Sequence, residues 1–471
     1  MKIDNLIKIR NKVNMKLVNK ENLKAFKVIG FFHNSKIQEE NLLKEKFSIT
    51  EFPNKKTTYI YLGEESKFDK DDLKSAMKKI ITLGNRDFEV NAKSFVSKIV
   101  TEEEVVKTFI DQQEYLLGEG LYSAKTAKKP KEFAINIFSN SSQMTKVATE
   151  ALALAKSVNV ARRLQATPPN ICNSEWLAKE MSDALKIHGS KITLKVLNKK
   201  EIEAENMGLF LSVNAGSAYE AQLVTVEYNG NPSSEEKTVY IGKGITFDTG
   251  GYNLKPSNFI QGMKYDMSGA AICFAAMNTI IELAPKTNVS MVLPLTDNRV
   301  SSTASLPDSI YTSMNGKTVE VNNTDAEGRL ILADAITYAI KKFNPTRIID
   351  IATLTGAIVV SLGSTYTGAW ATTEKAWNDL FEASKAQDEL VWRMPFHKDF
   401  LVNIKKSILA DYKNTDLTGQ GGSCSAAMFL KEFTEEKEYI HLDIAGSAGK
   451  ADEPTGIMVK TLVQLALNAK S

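Results

Sequence analysis

TVYIGKGITFDTGGYNLKPSNFIQGMKYDMSGAAICFAAMNTIIELAPKTNVSMVLPLT, residues 238–296, changes its periodicity twice. TVYIGKGITF (238–247) is a short apolar run rich in β-branched residues, followed by the Gly250–Gly251 pair, and predicts a strand and a turn. AAICFAAMNTIIELA (270–284) is longer and Ala-rich and predicts a helix. VSMVLPLT (289–296) predicts a second strand. Strand, helix and strand in this succession imply a mixed or parallel sheet covered by helices.

The rhythm extends in both directions. KITLKVLN (191–198) and AQLVTVEYN (221–229) precede it as strands, and LILADAITYAIKKF (330–343) and RIIDIATL (347–354) follow as helix and strand. The first 140 or so residues are Lys-rich, with strand-like AFKVIGFF (25–32), TTYIYLG (57–63) and EFAINIF (132–138). There EEEVVKTFIDQQEYLLGEGLY (102–122) predicts a helix ending at Gly118 and Gly120. TKVATEALALAKSVNVARRLQA (145–166) predicts one long helix stopped by Pro168 and Pro169. The expected fold class is therefore α/β. A smaller N-terminal α/β domain (1–143) leads through a bridging helix and linker (144–170) to a larger C-terminal α/β domain (171–471) with a mixed central sheet flanked by helices.

Bulk properties narrow the function classes. Of 471 residues, 43% are hydrophobic and 24% charged, as in a globular protein with a sizeable core. Lys and Arg number 59 against 56 Asp and Glu, so no global charge favours nucleic acid or an anionic membrane. Cys172, Cys273 and Cys424 are far apart and odd in number, which suits buried thiols in a reducing, cytoplasmic setting. MKIDNLIKIRNKVNMK lacks an apolar core and predicts no secretory signal, and no apolar run is long enough to span a membrane.

Chemistry gathers where strands end. GKGITFDTGG (242–251) brings Lys243 and Asp248, with Lys255 soon after, and KYDMSGAA (264–271) brings Asp266 ahead of the helix. VNNTDAEGRL (321–330), after strand-like KTVEV, holds Asp325 and Glu327; an extended backbone there would put both carboxylates on one side. Taken singly, Asp248 could be a turn residue, Asp266 a helix N-cap, Lys255 a solvated loop lysine and Lys243 an ion-pair partner of Asp248. Together, four carboxylates suit a divalent cation, whereas four scattered histidines do not suggest a His-rich zinc site.

In order and spacing, GKGITFDTGG, KYDMSGAA and the unbroken NTDAEGRL (323–330) resemble the leucyl aminopeptidase, or cytosol aminopeptidase, family of two-metal exopeptidases. The likeness continues through DIATLTGA (350–357), VWRMP (391–395), AAMFLKEF (426–433), HLDIAG (441–446) and PTG (454–456). It implies that Asp248, Asp325 and Glu327 hold one metal and that Lys243, Asp248, Asp266 and Glu327 hold the second. The metals implied are Zn²⁺ or Mn²⁺, with Mg²⁺ also compatible. A hydroxide between the ions would attack the first peptide carbonyl, Lys255 would stabilise the oxyanion, and Arg329 would hold bicarbonate as general base. Met263, Asn323, Thr353, Leu354, Gly356 and Ala445 are the implied substrate-binding positions, with apolar first residues such as leucine preferred; Met263 could equally be core packing. Peptides as substrates and a homohexameric assembly follow from the same resemblance.

Departures are local. Thr249 stands where the family commonly has Ser, Ser268 where Gly is usual, and SSTASLPDSI (301–310) lacks a glycine the family's loop carries. The other function class considered is a DNA-binding or regulatory protein retaining the fold, for which Lys-rich pieces such as KTAKKPKE (125–132) speak, although a solvated charge run explains them more simply, and the last is an inactive scaffold.

Overall fold

The computed structural model describes residues 13–14, 17–83, 86–117, 121–122, 133–450 and 453–469. The expected helix stop at Gly118 and Gly120 and the run KTAKKPKE lie outside them. The chain divides into Met1–Asn159 and Val160–Ser471, and the division falls inside one helix, Gln143–Ala166.

In the first unit, strand Phe26–Phe32 lies between Phe88–Asn91 and Thr57–Gly63, with Phe133–Phe138 beyond Phe88–Asn91, all parallel. Helices Lys70–Thr82 and Glu102–Leu117 pack together, and their apolar faces join Val28, Ile60, Leu62 and Val90 in one buried core. Asp69 caps the first helix by accepting from the backbone N–H groups of Asp71 and Asp72. Strand Ile49–Phe52, antiparallel at the sheet edge, had no sequence signal: it is four residues long and none of its side chains is fully buried.

The second unit is built on strands β1 (Ile192–Leu197), β2 (Gln222–Asn229), β3 (Thr238–Gly242), β4 (Gly244–Asp248), β5 (Asn288–Asn298), β6 (Arg347–Ala352), β7 (Thr367–Ala371), β8 (Val391–Arg393) and β9 (Glu438–Asp443). Their order is β8-β7-β9-β6-β3-β5-β2-β1, with β4 continuing along β5. The centre, β9-β6-β3-β5, is parallel, and antiparallel pairs join β7 to β9 and β2 to β5. This is the mixed α/β sheet expected. TVYIGKGITF is two strands rather than one, because the chain breaks its pairing at Lys243.

Helix α1 (Ser268–Leu283) connects β4 to β5, and α2 (Gly328–Phe343) leads into β6. Nearly every α1 position is buried, and all eleven residues of β5 are, which explains why both read as continuous apolar runs. Gly269 lets α1 touch the sheet: a Cβ there would lie 2.1 Å from the Ile351 carbonyl oxygen. All three cysteines are buried and free. No helix among the described residues is long and apolar enough to cross a membrane.

A polar cluster sits within this core. His441 Nδ1 lies 2.8 Å from Asp350 Oδ1, and the Tyr439 hydroxyl donates to Asp350 Oδ2 at 2.5 Å, with all three groups buried. Burial works to lower the His441 pKa, but the charge and hydrogen bond of Asp350 outweigh it and raise it above the ordinary histidine value. A raised folded-state pKa means stability that is full below the unfolded value of about 6.5 and is lost as pH rises through the folded value. Urea midpoints measured from about pH 6 to about 9 are expected to fall in the native protein, and the His441→Gln variant is expected to lack that component of the fall.

Candidate metal centre

The carboxyl ends of the parallel strands deliver the site, as open α/β sheets do. Lys243 follows β3; its N–H donates to Ile351 O at 3.1 Å and its carbonyl accepts from Ala270 N at 2.9 Å, which fixes it between β6 and the start of α1. Asp248 ends β4, and Asp266 lies in the 3₁₀ turn Met263–Met267 that enters α1. Asp266 does not cap that helix: its N-cap is Met267, with no side-chain cap bond.

Asp325 and Glu327 converge by a route other than the expected extended backbone. Thr324 and Asp325 form a turn, closed by Ala326 N donating to Asn323 O at 3.2 Å, and Glu327 is the αR N-cap of α2. The Asn323 side chain accepts from Asp325 N at 2.8 Å and so shapes the turn. Turn followed by helix start brings the two carboxylates together as effectively as a strand would.

One ligand atom from each of Asp248, Asp325 and Glu327 lies within 4.8 Å of the others. Two ammonium groups are threaded between these acids and Asp266. Lys243 Nζ is 2.8 Å from Asp266 Oδ1, 2.9 Å from Glu327 Oε1 and 2.8 Å from Thr353 O. Lys255 Nζ is 2.8 Å from Asp248 Oδ2 and 2.6 Å from Asp325 Oδ1. The expected Lys243–Asp248 pair is thus corrected: Asp248 pairs with Lys255, because Lys243 turns toward α1 and α2. There Gly328 makes room, since a Cβ on it would lie 2.6 Å from Lys243 Cε.

Burial pushes Asp248, Asp266 and Asp325 above the usual carboxylate range, helped by the nearby Glu327 charge. Burial pushes Glu327 the same way, but Lys243 and Lys255 overcome it and hold it low. Burial also works against both lysine charges, yet the surrounding carboxylates raise the two lysines. The site has more acid than its own cations neutralise. Asp266 Oδ2 is buried without a hydrogen-bond partner. Hard oxygen donors, surplus negative charge and one orphaned carboxylate oxygen fit a divalent cation.

The remaining positions fall around this centre. Thr353 Oγ1 donates to Asp266 Oδ1 at 2.7 Å, which makes it a support of that acid. Met263 opens the 3₁₀ turn and is half-buried. Leu354 packs against the main core, Ala445 against a smaller cluster with Ile358 and Trp370, and Gly356 is exposed at the start of helix Gly356–Leu362. Arg329, on the first turn of α2, is 5% exposed; its Nη1 donates to Asn414 O at 2.7 Å and its Nε has no hydrogen-bond partner. Burial lowers its pKa to about 10, so it stays charged at neutral pH.

Of the supporting residues, Asn298 carried no local sequence signal, and Asp443 stood without an assigned role inside HLDIAG. Asn298, at the end of β5, donates to Asp248 Oδ1 at 2.8 Å and to Thr324 O at 3.0 Å. Asp443, at the end of β9, accepts from Leu354 N at 3.1 Å and Thr355 Oγ1 at 2.6 Å and holds the segment that carries Thr353. The departures at Thr249 and Ser268 are structural: Thr249 Oγ1 donates to Asn298 O at 2.9 Å, and Ser268 Oγ accepts from Gln165 Nε2 at 2.7 Å. In the 301–310 loop, Asp308 takes a φ of +69°, the conformation a glycine would accommodate more readily.

Residues 159–463 match the model of the cytosol aminopeptidase family, catalytic domain. A protein of Metamycoplasma salivarium is 46% identical over 427 residues, covering 90% of this chain and 82% of its own length. One of Mycoplasma pneumoniae is 44% identical over 325 residues (69% and 72%), and one of Protochlamydia amoebophila 42% over 327 (69% and 65%). Each bears the name "Probable cytosol aminopeptidase". With the acidic centre at the strand ends and the family match across the unit that contains it, the chain belongs to the cytosol aminopeptidase family of metal-dependent exopeptidases.

Proposed function

We propose that this aminopeptidase removes the first residue from peptides with a free amino-terminus, preferring apolar residues such as leucine, and uses two divalent cations per subunit with bicarbonate beside Arg329. The observation that carries the reading is the convergence of Asp248, Asp325 and Glu327 next to the Asp266–Lys243 pair. Asp248, Asp325 and Glu327 would hold one cation, and Asp266 with Asp248, Glu327 and Lys243 the other. Zn²⁺ and Mn²⁺ suit this donor set, and Mg²⁺ is compatible with its oxygens. Bound there, the cations supply Lewis acidity and a lowered water pKa. Ligation by Lys243 requires it to lose a proton and to release the carboxylates its ammonium now contacts.

The chain's own groups then divide the work. Lys255, on the more open side of the centre, donates to the carbonyl oxygen as negative charge develops on it. Asp266, steadied by Thr353, orients the substrate's α-amine and so selects free amino-termini. Arg329 would hold a bicarbonate through the N–H groups not committed to Asn414, and that anion would supply a general base where no histidine stands at the centre. Met263, Thr353, Leu354, Gly356 and Ala445 would border the first side chain, with Asn323 shaping the turn opposite. A homohexamer acting in the cytoplasm is the assembly and setting this reading adopts from the family. The near balance of charge does not favour the DNA-binding alternative.

Release of p-nitroaniline from leucine p-nitroanilide tests the proposal. Chelator-treated protein is expected to be silent, to recover with Mn²⁺ or Zn²⁺, and to ignore the N-acetylated substrate. Turnover of the acetylated substrate at the same rate would overturn it.

A further inference from the structure

The loop from Asn322 to Glu327 carries two of the metal-centre carboxylates but has no ladder or helix of its own to pair its backbone. Much of that pairing comes from one side chain 91 residues away. Asn414 is fully buried. Its Oδ1 accepts from Asn322 N at 3.0 Å and Asn323 N at 3.3 Å, and its Nδ2 donates to Asn323 O at 2.7 Å and Ala326 O at 3.2 Å. Its own N–H donates to Glu320 O at 2.9 Å, continuing the parallel pairing of Tyr412–Lys413 with Thr318–Val321. Its carbonyl accepts from Arg329 Nη1 at 2.7 Å.

Asparagine suits this place because it offers an acceptor and a two-proton donor on one short side chain. Aspartate has the same shape but would face two carbonyl oxygens with a third acceptor. Alanine or serine could not span the loop. One residue therefore fixes the turn that aims Asp325 and Glu327 and, through its carbonyl, the guanidinium of Arg329. We propose that Asn414 is a positioning residue for the reaction: it sets the distance between the metal-binding loop and the anion-holding arginine. The inference rests on the metal-centre reading above.

Its consequence is separable from stability. Whole protein carrying Asn414→Asp is compared with wild type and with Asp325→Ala by Mn²⁺ calorimetry after chelator treatment, by kcat and KM at saturating Mn²⁺, and by circular dichroism with thermal unfolding. Folded Asn414→Asp is expected to bind Mn²⁺ about 10–100-fold more weakly, the usual effect of losing a group that orients ligands. Its kcat is expected to stay about tenfold or more below wild type at metal saturation, with KM within about threefold. Asn414→Ser, which removes the four side-chain contacts without adding charge, gives the same reading if Asn414→Asp does not fold. A lowered unfolding midpoint with wild-type Mn²⁺ affinity and wild-type kcat in the folded protein would overturn the proposal, as would failure of both variants to fold. Wild type that binds no Mn²⁺ would instead overturn the metal reading beneath it.

Discussion

Glu327→Ala protein is expected to lose about 10³-fold or more in kcat/KM on leucine p-nitroanilide and to retain less metal after dialysis than wild type. Glu327 is 3% exposed and reaches both halves of the centre: it belongs to the three-acid cluster and touches the Lys243 ammonium at 2.9 Å. Removing it leaves a two-acid cluster and takes one of three partners from a buried lysine. Fold loss is the competing explanation, because stripping a buried charge of a partner costs about 3–5 kcal/mol when the pair is broken. Glu327→Gln separates the two. It keeps the shape and an acceptor for Lys243 but removes the charge that a cation needs. A Glu327→Gln protein with wild-type turnover and metal content would refute the role assigned to this carboxylate.

Lys255→Met should behave differently. Its kcat is expected to fall about 10²–10³-fold, the effect of losing one donor to a developing oxyanion, while KM moves little. Metal retention should be unchanged or higher, because the Lys255 ammonium now sits between Asp248 and Asp325 and offsets their charge. Lys255→Arg is not expected to restore the rate, since a planar fork cannot reproduce a point donor at that place. Metal content measured beside kcat decides the matter: metal lost in proportion to activity would show that Lys255 organises the ligands instead of the transition state.

The sequence made the sheet legible for a physical reason. Its central strands are covered on both faces, so β5 and β6 stand out as apolar runs, and α1 as an Ala-rich helix between strands. The same logic hid Ile49–Phe52, whose side chains are half-buried or exposed. The acidic positions were legible because strand ends concentrate chemistry, although the backbone that joins Asp325 to Glu327 is a turn and a helix start, not a strand. Pairing was less legible. Lys243 and Lys255 each had several acids within reach of the same strand ends, and only packing against Gly328 and Thr353 decides which lysine meets which. Asn298 and Asn414 support the centre from 50 and 91 residues away in the chain, a separation that no local pattern marks, and HLDIAG gave no sign that its Asp443 would hold Leu354 and Thr355.

The two lysines threaded among the acids have a consequence for the life history of the enzyme. Small zinc domains collapse only when the ion arrives, because nothing else holds their ligands together. Here the polypeptide brings resident counter-ions, and each carboxylate of the centre contacts at least one of them. The acids of the centre are thereby held against their mutual repulsion by the chain itself, so the folding of this unit need not wait for an ion in the way a small zinc domain must.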